Sequence, residues 1–170
     1  MKMLNILDQS TSDSIRERYI RCFIDENSEH YHTLIEKKIS YIDGFCYKGY
    51  LWDCCKMPVI ITEGQADRIM QTKKNVYIMW DINSCENIFI PGYWKYPKSK
   101  ILFAQRWFKD YERVLPEDIY LFDDSFEWSV VYTHETMLDN SRYCLYLDNY
   151  SPRELFGYNL NRNKVLTKKL

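Results

Sequence analysis

Between Ser12 and about Ile24 the apolar positions Ile15, Tyr19, Cys22 and Phe23 fall at i, i+4, i+7 and i+8, with Arg16, Glu17, Arg18 and Arg21 between them. That spacing predicts an amphipathic helix, with Ser12 or Asp13 as its N-cap. After the break at Glu26-Asn27-Ser28, a second helix is expected to carry Tyr31, Leu34, Ile35 and Ile39. Asp43-Gly44 marks a turn, and the aromatic stretch Tyr47 to Cys55 reads as a strand. Thr62-Glu63-Gly64-Gln65 has the spacing of a capping box and opens a short helix to about Thr72. Asn75 to Asp81 alternates and is rich in β-formers, and a hairpin with Asn87 to Ile90 is expected. Pro91 to Pro97 reads as an irregular aromatic loop, and Ile101 to Glu112 as a helix. Asp118 to Phe122, the turn Asp123-Asp124-Ser125 and Phe126 to Thr133 form the strongest hairpin pattern in the chain. Its alternation places Phe126, Trp128, Val130 and Tyr132 on one face and Glu127, Ser129 and Val131 on the other. Tyr143 to Leu147 supplies a last strand.

Helices first and mostly antiparallel strands afterwards describe an α+β fold: an N-terminal helical pair on a mainly antiparallel sheet of about five strands. The 170 residues fit a single domain over 1–150, followed by a basic tail over 151–170. With 46% hydrophobic and 16% aromatic residues, and only five Gly and five Pro, disorder and low complexity are excluded. Fifteen Tyr and five Trp stand beside two Ala, Ala66 and Ala104. Such amphipathic rings suit sheet faces and wet interfaces, and codon bias in an AT-rich genome also favours Tyr over Ala. No stretch has the length of a signal core or a membrane span, so a cytoplasmic protein with no membrane partner is expected.

Six Cys and three His invite a metal, but no Cys-x2-Cys occurs, and on a helix His30 and His32 would point about 200° apart. Six reduced thiols, no metal and no cofactor are therefore expected. Gly-x-Gly-x-x-Gly and Walker loops are absent as motifs. Nucleophilic catalysis has candidates in His134, Glu135, Asp123, Asp124, Cys46, Cys54 and Cys85, with nothing to set their distances. A strand-closing His134 and a polar turn at Asp123-Asp124 explain these residues without catalysis.

Charge is more telling by segment than in total. The net −1 hides a −6 between Asp110 and Glu127 and a +4 after Pro152, where Arg153, Arg162, Lys164, Lys168 and Lys169 face Glu154. In the acidic segment Tyr111, Tyr120, Phe122, Phe126 and Trp128 are interleaved with the acids. Carboxylates that steer and aromatics that anchor suit a basic protein partner. The residues expected to meet it are Glu117, Asp118, Tyr120, Asp123, Asp124, Glu127, His134 and Glu135.

The series Gly49-Tyr50-Leu51-Trp52, Val76-Tyr77-Ile78, Asp118-Ile119-Tyr120-Leu121-Phe122-Asp123 and Phe126-Glu127-Trp128 through Thr133-His134-Glu135 resembles the bacterial domain of unknown function family 4275, from about Ser14 to Glu135. The chain departs from it around Pro91 to Ala104, over Met137 to Leu147 and in the basic tail. The resemblance implies a cytosolic bacterial domain without assigned chemistry. By type, small acidic, Trp- and Tyr-rich domains of this kind are similar to immunity proteins of polymorphic or contact-dependent toxins. A monomeric immunity protein blocking a cognate toxin domain, such as a basic nuclease, is therefore expected, with nucleic acid not the partner. The alternatives are a small hydrolase or nuclease using His134, Glu135 and Asp123, and an accessory nucleic-acid domain using the C-terminal lysines.

Overall fold

A computed structural model describes residues 4–37, 39–41, 44–81 and 100–149. The expected strand Asn87 to Ile90, the loop Pro91 to Pro97, Cys85 and the basic tail lie outside them. Helix α1 spans Gln9–Phe23 and buries Ser12, Arg16, Tyr19, Ile20 and Phe23 at helical spacing. Its N-cap is Asp8, whose carboxylate accepts from the Thr11 amide at 2.8 Å. Ser12 sits one turn inside instead, where its Oγ accepts from the Ile101 amide at 3.1 Å. The second helix is reduced to a short turn at Tyr31–Ile35, and Ile39 belongs to a small hairpin of β2 (Ile39–Tyr41) and β3 (Gly44–Cys46).

The main sheet has seven strands, two more than the alternation predicts. They are β1 (Asn5–Ile6), β4 (Val59–Thr62), β5 (Val76–Trp80), β6 (Leu102–Ala104), β7 (Ile119–Phe122), β8 (Trp128–Thr136) and β9 (Arg142–Asp148), in the order β1-β6-β5-β7-β8-β9-β4. Every neighbouring pair is antiparallel. Helix α2 (Glu63–Thr72) starts with the expected capping box: the Gln65 amide donates to Thr62 Oγ1 at 3.3 Å and the Thr62 amide to Gln65 Oε1 at 2.8 Å. Thr62→Ala is expected to cost about 1 kcal/mol, read as a lower urea midpoint at constant slope.

Both faces of the sheet are covered. On one, α2 and the segment from Trp107 to Leu115 lie over Ile78, Trp80, Leu121, Val130, Tyr132 and Tyr146. On the other, α1, Ile35 and the segment from Tyr47 to Cys54 lie over Met79, Tyr120, Phe122, Val131, Leu145 and Leu147. Ser129 and Val131, on the face opposite Trp128 and Val130, are buried under α1 as well, where Ser129 Oγ and the Tyr19 hydroxyl share a hydrogen bond of 2.9 Å. Phe126 has left-handed backbone (φ 55°), so it packs on the α1 side against Phe122, ring centroids 5.3 Å apart, and not beside Trp128.

Two further expectations are corrected. Ile101 to Glu112 is not a helix: β6 uses its backbone to join β1 and β5, and only Lys109–Arg113 closes into a 3-10 turn. Leu102 and Ala104 face α2 while Ile101 faces α1, a period of two that the dense apolar run conceals. Tyr47 to Cys55 is not a strand but leads into a 3-10 turn at Leu51–Cys54. Its amides bind side chains, Leu51 N donating to Asp81 and Trp52 N to the Tyr120 hydroxyl, so no neighbouring strand is needed. None of the helices described is long and apolar enough to cross a membrane.

Candidate functional site

The end of the sheet where β7 begins and β8 finishes gathers three separate stretches of sequence. The first is the turn Leu51–Cys54, fixed from below by buried Asp81. That carboxylate accepts from Leu51 N at 3.1 Å and from the Tyr120 hydroxyl, which in turn accepts from Trp52 N at 2.8 Å. Just before the turn, a Cβ on Gly49 would meet Leu34 Cβ at 3.0 Å and His30 Nε2 at 3.1 Å, so only glycine lets this segment lie so close to the short helix. The second stretch is Glu117-Asp118 at the head of β7, and the third Thr133-His134-Glu135 in β8.

Asp118, with its side chain only 3% exposed, joins all three. Its Oδ1 accepts from Trp52 Nε1 at 3.2 Å, from the His134 amide at 3.0 Å and from His134 Nδ1 at 2.9 Å. The hydrogen bond to Asp118 raises the His134 pKa against the opposing effect of burial, and the charges of Asp118, Glu135 and Glu117 add to the rise. The imidazole side chain is 35% exposed and rests on the Tyr50 ring, centroids 4.9 Å apart. Tyr50 stacks on Trp52 at 5.6 Å, and Tyr143 closes the group 6.2 Å from Trp52. Asp53 stands 3.5 Å from His30 Nε2; burial, assisted by Glu135 and Asp118, raises its pKa against the pull of His30 and His134.

A polar cleft of about 420 Å³ opens beside His134, walled by Glu63, Glu112, Glu117, Ser141 and Arg142 among others. Arg142 is held within it by Glu112 at 3.1 Å, by the Thr133 carbonyl at 2.7 Å and by the Glu117 carbonyl. Burial raises the Glu112 pKa although Arg142 opposes it. The resulting face is acidic and aromatic, with Asp53, Glu117 and Glu135 around Tyr50, Trp52 and Tyr143.

The residues expected to meet a partner are divided by this geometry. Glu117, His134 and Glu135 are exposed at this end. Asp118 and Tyr120 are buried beneath it and offer no surface. Asp123, Asp124 and Glu127 lie at the opposite end of the hairpin, a separation of about 14 Å along the four residues of β7. There Asp123 is occupied by the turn, accepting from Ser125 N at 3.1 Å and from Trp128 Nε1 at 2.7 Å. The trio His134, Glu135 and Asp123 is thus not brought together. Tyr50, Trp52, Asp53 and Tyr143 are absent from the expected set; the Gly49-Tyr50-Leu51-Trp52 motif signals the first two, and nothing in the sequence singles out Asp53 or Tyr143.

The ring hydrogen bonds of His134 go only to Asp118, and no described Ser, Thr or Cys bonds to it. Among the described residues no three His, Cys, Asp or Glu are grouped to hold a metal ion. Cys22, Cys54, Cys55 and Cys144 are free thiols, and burial pushes the Cys54 pKa up to about 11. What the arrangement offers chemically is a half-buried aromatic platform with a rim of carboxylates and one histidine able to gain charge. No family model, no curated protein and no solved structure matches the chain.

Proposed function

We propose that this chain is a bacterial immunity protein that binds and blocks a cognate toxin domain. The observation that carries the reading is the single face on which Tyr50 and Tyr143 lie half-buried over the buried Trp52 ring, among the carboxylates of Asp53, Glu117 and Glu135. Rings already packed on one side lose little entropy when a partner covers the other, and a carboxylate rim speeds the approach of a basic protein. The resemblance to family 4275 bears on the same face, because its Gly-Tyr-Leu-Trp, Glu-Asp-Ile-Tyr and Thr-His-Glu motifs supply Tyr50, Trp52, Glu117, His134 and Glu135. Asp123, Asp124 and Glu127 are left out of the proposed interface. The competing hydrolase reading loses its third member with Asp123, and among the described residues no nucleophile bonds to His134. His134 is then a rim residue held in place by Asp118, which favours its protonated form.

Co-expression with the C-terminal domain of a toxin encoded directly upstream tests the proposal. A one-to-one complex that protects the cell and weakens with salt is expected. In it, Glu117→Lys with Glu135→Lys should reduce affinity by about a hundredfold without lowering the melting temperature. Absence of both complex and protection would overturn the function, and an unchanged affinity in the double variant would overturn the face.

A further inference from the structure

A cleft of about 670 Å³ lies at the opposite end of β5 from the aromatic face. Lys74 and Asn75 enter it just before β5, and Gln105 and Arg106 just after β6. The register Val76↔Ala104 sets these two pairs side by side, and the Asn75 amide donates to the Gln105 carbonyl at 3.0 Å. Asn5, on β1 beyond β6, forms part of the wall. Its floor is aromatic: Phe108 is half-buried, and its ring meets Tyr111 edge to face at 5.6 Å.

Three properties distinguish this cleft from an ordinary surface hollow. Its lining contains two cations and no carboxylate among the described residues. Both cations are exposed and neither forms an ion pair with a described residue, whereas nearby Lys109 is held by Glu63 and Asp67 and Lys73 lies over the Trp128 ring. Three side-chain amides, from Asn5, Asn75 and Gln105, join the cations and the aromatic floor in one volume of the size usual for small-molecule sites.

We propose that this cleft binds a mononucleotide. Lys74 and Arg106 take the phosphate, Arg106 by the paired donors of its guanidinium and Lys74 as a point charge. The base lies against the Phe108 ring, and the amides, each both donor and acceptor, meet its polar edge. A bare anion would engage the two cations but neither the exposed part of the Phe108 ring nor the amides. The site is independent of the proposed toxin-binding face, because the two lie at opposite ends of the sheet.

Titration of the full chain with AMP, adenosine and inorganic phosphate, followed by calorimetry and backbone amide shifts, tests it. Saturable one-to-one AMP binding is expected, with shifts centred on Asn75 and Gln105. Lys74→Glu with Arg106→Glu, both at exposed positions, should weaken AMP by at least about tenfold while leaving the melting temperature unchanged. Inorganic phosphate and adenosine should each bind at least about tenfold more weakly than AMP. Failure of AMP to saturate, undiminished binding in the double variant, or inorganic phosphate equal to AMP would each overturn the assignment. A short oligonucleotide that binds more tightly than AMP would overturn it in favour of a strand-binding site.

Discussion

Replacing Tyr120 by Phe should lower the free energy of unfolding by about 3 kcal/mol, a large effect for the loss of one oxygen atom. The Tyr120 hydroxyl donates to Asp81 and accepts from the Trp52 amide at 2.8 Å. It stays protonated because burial, reinforced by Asp81, holds its pKa well above the ordinary value. The ring of Phe would fill the same space, so no cavity term enters. What changes is that a buried backbone N–H and a buried carboxylate oxygen both lose a partner, each at about 1–3 kcal/mol. Urea unfolding followed through tryptophan fluorescence measures the loss. A difference below about 1 kcal/mol would mean that water or a shifted backbone replaces the hydroxyl, and that Tyr120 is not what holds the turn. Because the turn carries Tyr50 and Trp52, partner affinity should fall with stability.

Asp81→Asn should change the pH dependence of stability more than any other single substitution in the chain. Asp81 is fully buried, facing Tyr120 from β7, Leu51 N from the turn and Arg16 from α1, with Asp118 also near. Burial pushes its pKa from 3.8 to about 7, against the opposing pull of Tyr120, Leu51 N and Arg16. A carboxyl group raised in the folded state binds a proton there between about pH 4 and 7, while the unfolded chain does not. Its stabilising effect relative to the ionised form is complete below about pH 4 and lost as pH rises through about 7. The gap corresponds to at most about 4 kcal/mol. His134, also raised, contributes with the same sign, so the quantity to follow is the stability of wild type minus that of Asp81→Asn. This difference should fall steadily from pH 4 to pH 8, and parallel curves for the two proteins would sink the assignment.

Local signals were legible where local interactions decide the structure. The capping box at Thr62 and Gln65 needs only four residues, and α2 starts where they place it. The hairpin from Asp118 to Thr133 carries its own turn chemistry in Asp123 and Ser125. By contrast, the aromatic run before Cys55 has the composition of a strand but is bent into a turn by Asp81 and Tyr120, thirty and sixty-eight residues away. No pattern within the run can reveal those partners. The same limit shaped the candidate site. Glu117, His134 and Glu135 were expected at the surface and are found there, but Asp118 was counted with them because a carboxylate is ordinarily exposed. Its burial depends on three donors from two distant stretches. Covering both faces of β8 likewise leaves Ser129 and Val131 buried, since α1 and α2, about forty residues apart in the chain, pack on opposite faces of one sheet.

The pairing of β4 with β9 has a consequence for synthesis on the ribosome. Among the described strands Val59–Thr62 pairs with Tyr143–Tyr146 alone, so its partner is made about 80 residues later, which takes roughly 4–16 s at ordinary elongation rates. During that interval a Val-Ile-Ile-Thr segment waits with its backbone unpaired and Ile60, still 57% exposed in the finished fold, fully in water. Only α2, which follows it directly and can form on its own capping box, is at hand to shield it. The nascent chain is therefore most open to misassociation with neighbouring copies just before Leu147 leaves the exit tunnel, and insertion of β9 between β8 and β4 ends that vulnerability in one step.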